Sequence, residues 1–247
     1  MLLNDSDLEI IICTLGIILL FLVIIALVNV STSNDFPETV EYVNSSEMNN
    51  GDILCVAYSN FAGTFVSSFS RSIWSHTGTI WVDPKTNFRY VLEGSIYNHK
   101  SYKHFIKIPI ETWLHFNRKS ILGYKKYRGQ PIDSDFMYSV FKPFKDYCKL
   151  DGLNVFWAKF GFSRDYYEYK RLNKYTCIEF TIILGQMMDI YKKEKIYCSY
   201  LPGDVANDKV PLCEGVSYDK IVKIKCQPAD SILLLEDIND NKIFWKK

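Results

Sequence analysis

Cys177 lies in the run Tyr175-Thr176-Cys177-Ile178-Glu179-Phe180, where Thr176 followed three residues later by Glu179 has the form of a helix capping box. The apolar stretch behind it, Phe180 to Tyr191, is long enough for three helical turns. A cysteine on the first turn of a buried helix meets unpaired backbone N–H groups and the positive end of the helix dipole. Both favour a thiolate, the attacking form of the side chain. The same position also describes an inert core cysteine beside a cap, so the chemistry depends on what else the chain supplies. A nucleophilic cysteine needs a base within hydrogen-bond reach and a third group that orients the base.

Four histidines are available, and His99, His104 and His115 lie among lysines and polar residues, where an exposed histidine is the default. His76 differs, because it falls inside the strand pattern Ser75-His76-Thr77-Gly78-Thr79-Ile80-Trp81. Alternation places Trp74, His76, Gly78, Ile80 and Val82 on one largely apolar face, so the imidazole there requires a polar partner. The turn Asp83-Pro84-Lys85-Thr86-Asn87 and the strand Phe88 to Glu93 make a β-hairpin with it. A turn centred between Pro84 and Lys85 sets His76 opposite Glu93, with Cβ atoms about 5 Å apart. A bulge at Asn87 would instead move the pairing by one and turn the carboxylate to the other face. A carboxylate opposite His76 would hold one tautomer and stabilise the imidazolium, as the acidic member of a nucleophile–base–acid triad does. The competing reading is a structural His–Glu hydrogen bond within a sheet.

The elements that must position these residues follow the order strands, helices, strands, which gives α+β as the fold class. Strands are expected at Ile53–Tyr58, Trp74–Val82, Phe88–Glu93, Phe105–Ile110, Ile221–Cys226 and Ile232–Glu236, and helices at Phe65–Ile73, at Asp133–Asp151 with Pro143 inside it, and behind Cys177. The folded domain is expected over residues 51–247, preceded by a polar linker at 31–50 and an anchor at 1–30. From Ile10 to Val28 the chain is apolar apart from Cys13 and Thr14, long enough for one membrane-spanning helix. Asp5, Asp7 and Glu9 precede that run in place of the positive region of a signal peptide. The expected partner of residues 10–28 is therefore a lipid bilayer, with a single-pass membrane location of open topology.

Composition excludes several classes. A formal net charge of +1 over 247 residues gives no basic stripe for nucleic acid. The seven cysteines form no CxxC pair, and no short-range His/Cys ligand pair supports zinc, although one Cys, one His and one Glu resemble part of an open site. Neither a G-x-S-x-G elbow nor a glycine-rich phosphate loop is present, and no motif calls for a cofactor.

Four short motifs occur in a fixed order: Gly51-Asp52-Ile53-Leu54, Ser75-His76-Thr77-Gly78-Thr79-Ile80, Tyr90-Val91-Leu92-Glu93-Gly94 and Tyr175-Thr176-Cys177-Ile178-Glu179-Phe180. They resemble the circularly permuted NlpC-type papain-like hydrolases, the group containing the bacterial YiiX-like proteins and a poxvirus virion-protein branch. Tyr200-Leu201-Pro202-Gly203-Asp204 is similar to the Pro-containing segment after the family's cysteine helix. The resemblance implies Cys177 as nucleophile, His76 as base and Glu93 as the polar third member. It also implies an antiparallel sheet packed on a central cysteine-bearing helix, and an amide- or ester-containing substrate of peptide, isopeptide or lipid origin. Ile178 stands where the family often has serine, and the Ile-, Lys-, Asn- and Tyr-rich wording resembles proteins of AT-rich large DNA viruses. The rival expectation is a structural or interaction protein of a virion or membrane that retains the fold without turnover.

Overall fold

The computed structural model describes residues 13–20, 40–41, 43–59, 61–70, 72–95, 104–150, 174–193 and 200–224. Its centre is a seven-stranded sheet. The strands that build it are β1 (Val40–Glu41), β2 (Ile53–Ala57), β3 (His76–Val82), β4 (Arg89–Ser95), β5 (His104–Pro109) and β6 (Ile121–Lys125). Two-residue strands β7 (Tyr127–Arg128), β8 (Lys149–Leu150), β9 (Lys174–Tyr175) and β10 (Ser217–Tyr218) pair in two small satellite sheets, and β11 (Val222–Ile224) returns to the main one. The order is β1-β11-β6-β2-β3-β4-β5. Six of these strands are antiparallel, and β1 adds to the β11 edge in parallel. The α+β class stands, whereas the expected purely antiparallel sheet gains this parallel edge.

Helices cover both faces. The first helix in the chain, α1 (Phe61–Ser70), joins β2 to β3; on one face of the sheet lies α2 (Ile110–Asn117), whose Trp113 and Leu114 pack on Leu54, Val56, Ile80, Val91 and Leu122. The other face carries α3 (Ser134–Tyr147), α4 (Cys177–Met187) and α5 (Pro202–Ala206). There Ile178 and Ile182 meet Ile53 and Cys55, while Phe180 and Leu184 join Trp81, Leu92, Phe105, Met137 and Phe141. Strand alternation explains the division: β2 sends Leu54 and Val56 one way and Ile53 and Cys55 the other. Among the largest buried side chains are Trp74, Trp113 and Phe105, each worth roughly 2–3 kcal/mol of apolar burial.

Two expectations are corrected. Of the apolar run 10–28, residues 13–20 are described; they are helical and exposed, and the remainder of that run lies outside the described residues. No described helix is long and apolar enough to cross a membrane, so the N-terminal transmembrane helix is not supported. Of the polar stretch expected as a linker, 31–50, the described residues 40–41 and 43–50 contribute to the fold: β1 pairs with β11, and Met48 is fully buried in the α2-side core. A few apolar residues, Val43 and Met48, dock a segment whose average composition is polar.

Gly51 and Asp52 open the central strands. Gly51 has φ +87°, which favours glycine. The buried Asp52 carboxylate accepts hydrogen bonds from Tyr124 Oη, Asn49 N and Tyr127 N, joining β2 to β6 and β7. Burial raises its pKa above the ordinary carboxylate value against the lowering effect of those donors. The strand Ile232–Glu236 and the end of Ile221–Cys226 lie outside the described residues.

Candidate active site

The sequence run Thr176–Glu179 folds as expected. Thr176 Oγ1 accepts from Glu179 N at 3.2 Å, and Glu179 Oε2 accepts from Thr176 N at 2.9 Å, completing the capping box. Cys177 is therefore the first residue of α4, half-buried and free of any disulfide. One turn later, Thr181 Oγ1 donates to Cys177 O and lies 3.1 Å from Thr77 Oγ1 of β3. That contact ties the start of the cysteine helix to the residue next to His76.

His76 is the first residue of β3 and is buried. The strand start is fixed by Ser75, whose N and Oγ both donate to Val56 O, and whose Oγ accepts from Tyr58 N. His76 Nε2 lies 2.7 Å from Glu93 Oε2, and the Glu93 side chain has no exposed surface. With Nε2 committed to the carboxylate, Nδ1 is the ring nitrogen left for another partner. Cys177 is close enough to act on the imidazole through charge and side-chain hydrogen bonding. Burial by itself lowers the imidazole pKa, but the charges of Cys177 and then Glu93, with hydrogen bonds to both, raise it to about 10.

His76 and Glu93 are brought together by a register two residues away from the expected one. Thr79 pairs with Leu92 and Ile80 with Val91, so extending the ladder sets Glu93 opposite Gly78. The hairpin closes with Asp83 N donating to Phe88 O, and Asn87 takes the left-handed conformation with φ 59°. A shift of two keeps every side chain on its face, so His76 and Glu93 still share one, now diagonally. Gly78 makes the diagonal possible: a Cβ there would stand 2.5 Å from Val91 Cγ1 and 3.4 Å from Glu93 Cβ and Oε2.

Sequence reasoning missed one member of the cluster. Trp113, fully buried on α2, donates from Nε1 to Glu93 Oε2 at 2.7 Å. No local signal marks it, since its partner is twenty residues away on a separate element. His115 is exposed, as expected, and lies against Arg118. His99 and the side chain of His104 lie outside the described residues. Among the described residues, no group of three or more His, Cys, Asp and Glu side chains is arranged to hold a metal ion. The Leu201–Asp204 segment forms the start of α5, with Asp204 Oδ2 accepting from Leu201 N at 2.8 Å.

The arrangement offers a sulfur at a helix start, an imidazole beside it and a buried carboxylate behind the imidazole. Such a set can generate a nucleophile and return its proton to a leaving group. No family model and no curated protein matches the chain. Among solved structures it has a weak likeness in fold to the metalloprotein yiiX from Escherichia coli O157:H7, with a TM-score of 0.42 and 10% identity, over 70% of this chain and 97% of that one.

Proposed function

We propose that this chain is a cysteine hydrolase or acyltransferase that cleaves an amide or ester bond through an acyl-enzyme on Cys177. The observation that carries the reading is the buried His76–Glu93 pair at 2.7 Å with Cys177 as the imidazole's other partner. His76 takes the thiol proton as sulfur attacks the carbonyl carbon. The backbone N–H of Cys177, at the start of α4, is aimed at the oxygen that becomes negative. Collapse breaks the C–N or C–O bond, and the imidazolium gives its proton to the departing amine or alcohol. Water or another acceptor, deprotonated by His76, then attacks the thioester and frees the sulfur. Glu93 keeps Nε2 occupied, so that Nδ1 faces the sulfur throughout.

The order of His76 before Cys177 is that of the circularly permuted NlpC-type papain-like hydrolases. Membership of that group rests on the four motifs and their order. Peptide, isopeptide and lipid acyl groups are the substrate classes to screen.

The deciding experiment is alkylation with iodoacetamide at about pH 5.5, where an ordinary thiol is almost wholly protonated. Cys177 is expected to react at least about tenfold faster than Cys148 and Cys213, which are also half-buried. His76→Ala should abolish that advantage. Equal rates at the three cysteines, unchanged by His76→Ala, would favour a protein that keeps the fold without turnover.

A further inference from the structure

Glu93 has two oxygens, and the cluster uses one. Oε2 accepts from His76 Nε2 and from Trp113 Nε1, each at 2.7 Å, while Oε1 is buried and has no hydrogen-bond partner. Nothing on the Oε1 side therefore decides which oxygen the imidazole meets. The indole N–H does. Trp113 is itself held: Asn117 Nδ2 donates to Trp113 O at 2.9 Å, and Tyr58 Oη donates to Asn117 Oδ1 at 2.9 Å. The Tyr58 ring then returns to His76, with ring centroids 5.8 Å apart and planes inclined by 38°. Tyr58 N also donates to Ser75 Oγ, one residue before His76. The circuit closes on the imidazole from two directions, once through the carboxylate and once through the strand and the tyrosine ring.

We propose that Trp113, Asn117 and Tyr58 are positioning residues that fix the His76–Glu93 pair for the reaction at Cys177. This rests on the cysteine-hydrolase reading above. The fold needs no such polar circuit to attach α2, because Ile110 and Leu114 already pack into the apolar core on that face. A hydrogen bond donated to a carboxylate favours its charged form, and a charged carboxylate favours an imidazolium. Without the indole donor, Glu93 keeps one hydrogen-bonded neighbour, His76, and is free to turn Oε1 toward it. A less well supported imidazolium stabilises the attacking thiolate less, an effect largest at low pH, where an ordinary thiol holds its proton.

Trp113→Phe keeps an aromatic ring at the position, though a smaller one, and removes the N–H. In the full-length protein, Cys177 alkylation at about pH 5.5 divided by that at about pH 8.5 should fall by about tenfold. Tyr58→Phe, which removes only the hydroxyl, should move the ratio in the same direction. Nitrogen-15 NMR of the His76 ring should show its titration displaced in both variants while thermal unfolding stays cooperative. Wild-type profiles in folded Trp113→Phe and Tyr58→Phe would overturn the clamp and leave the cysteine-hydrolase reading standing. Should Trp113→Phe fail to fold, Tyr58→Phe alone decides. If wild-type Cys177 shows no enhanced reactivity at all, the reading beneath fails, and the clamp falls with it.

Discussion

Gly78→Ala tests whether the carboxylate reaches the imidazole because one position between them has no side chain. The added Cβ would lie 2.5 Å from Val91 Cγ1, about 1 Å inside the usual carbon–carbon contact distance. Val91 is fully buried and β-branched, so rotation about χ1 offers little escape. Overpacking of this kind costs about 1–3 kcal/mol. Replacing a strand glycine returns roughly 0.5–1 kcal/mol of backbone entropy. The net loss is about 1–2 kcal/mol, which for a chain of this length lowers Tm by about 2–8 °C.

The same Cβ stands 3.4 Å from Glu93 Cβ and Oε2, so it fills the space beside the acceptor of the His76 hydrogen bond and restricts how the carboxylate can settle. Two losses are thus expected, one in stability and one in Cys177 alkylation, and they have different causes. Val91→Ala separates them, because it removes the Cγ1 atom without touching Glu93. In a Val91→Ala background the Tm penalty of Gly78→Ala should shrink, giving a coupling of about 1 kcal/mol in a double-mutant cycle. The alkylation defect should persist in that background. The reasoning is refuted if Gly78→Ala unfolds within about 1 °C of wild type and alkylates at the wild-type rate.

Thr176→Ala removes the Oγ1 that accepts from Glu179 N, and should cost about 1 kcal/mol by chemical denaturation, with Thr176→Ser close to wild type. Cys177 reactivity should fall with it, since the cap sets the first turn on which the sulfur sits. Stability should also decline as pH rises. The folded-state pKa of His76, about 10, exceeds the ordinary value of 6.5, so the folded chain binds more proton than the unfolded one across that interval. The contribution is complete below pH 6.5 and is lost as pH climbs through about 10. Denaturant midpoints measured across that interval should fall more steeply for wild type than for His76→Gln; parallel curves would contradict the raised value.

The capping box was legible because all its partners lie within four consecutive residues, and the alternation along β3 was legible for the same reason. The hairpin register was legible only in its parity. Placing Asn87 in the left-handed region moves the turn centre, which the residue types Asp-Pro-Lys-Thr-Asn do not fix. Strand β6 escaped notice although it lies at the heart of the sheet, between β11 and β2. Gly123 and Lys125 break its apolar pattern, yet Lys125 is 1% exposed. Its ammonium donates to Val205 O, Ala206 O and Asp208 Oδ1, so a charge that reads as surface is instead satisfied at the end of α5. The Trp113–Glu93 and Thr77–Thr181 contacts join residues distant in sequence, and no spacing rule reports such pairs.

The position of His76 at the first residue of β3 is itself a constraint imposed by a sheet covered on both faces. Glu93 and Trp113 act from the α2 side, whereas Thr77, pointing the other way, binds Thr181 on α4. A histidine deeper in β3 on the same face, at Gly78 or Ile80, would be enclosed by the α2 layer and separated from α4 by the sheet. Only at the strand's end can a side chain be oriented by one layer while meeting a residue carried by the other. The cysteine obeys the matching rule, since it sits on the first turn of α4, the turn that Thr181 ties to Thr77 at the start of β3. Moving either residue inward by two positions or one turn would preserve its burial and its face, and would still break the pair.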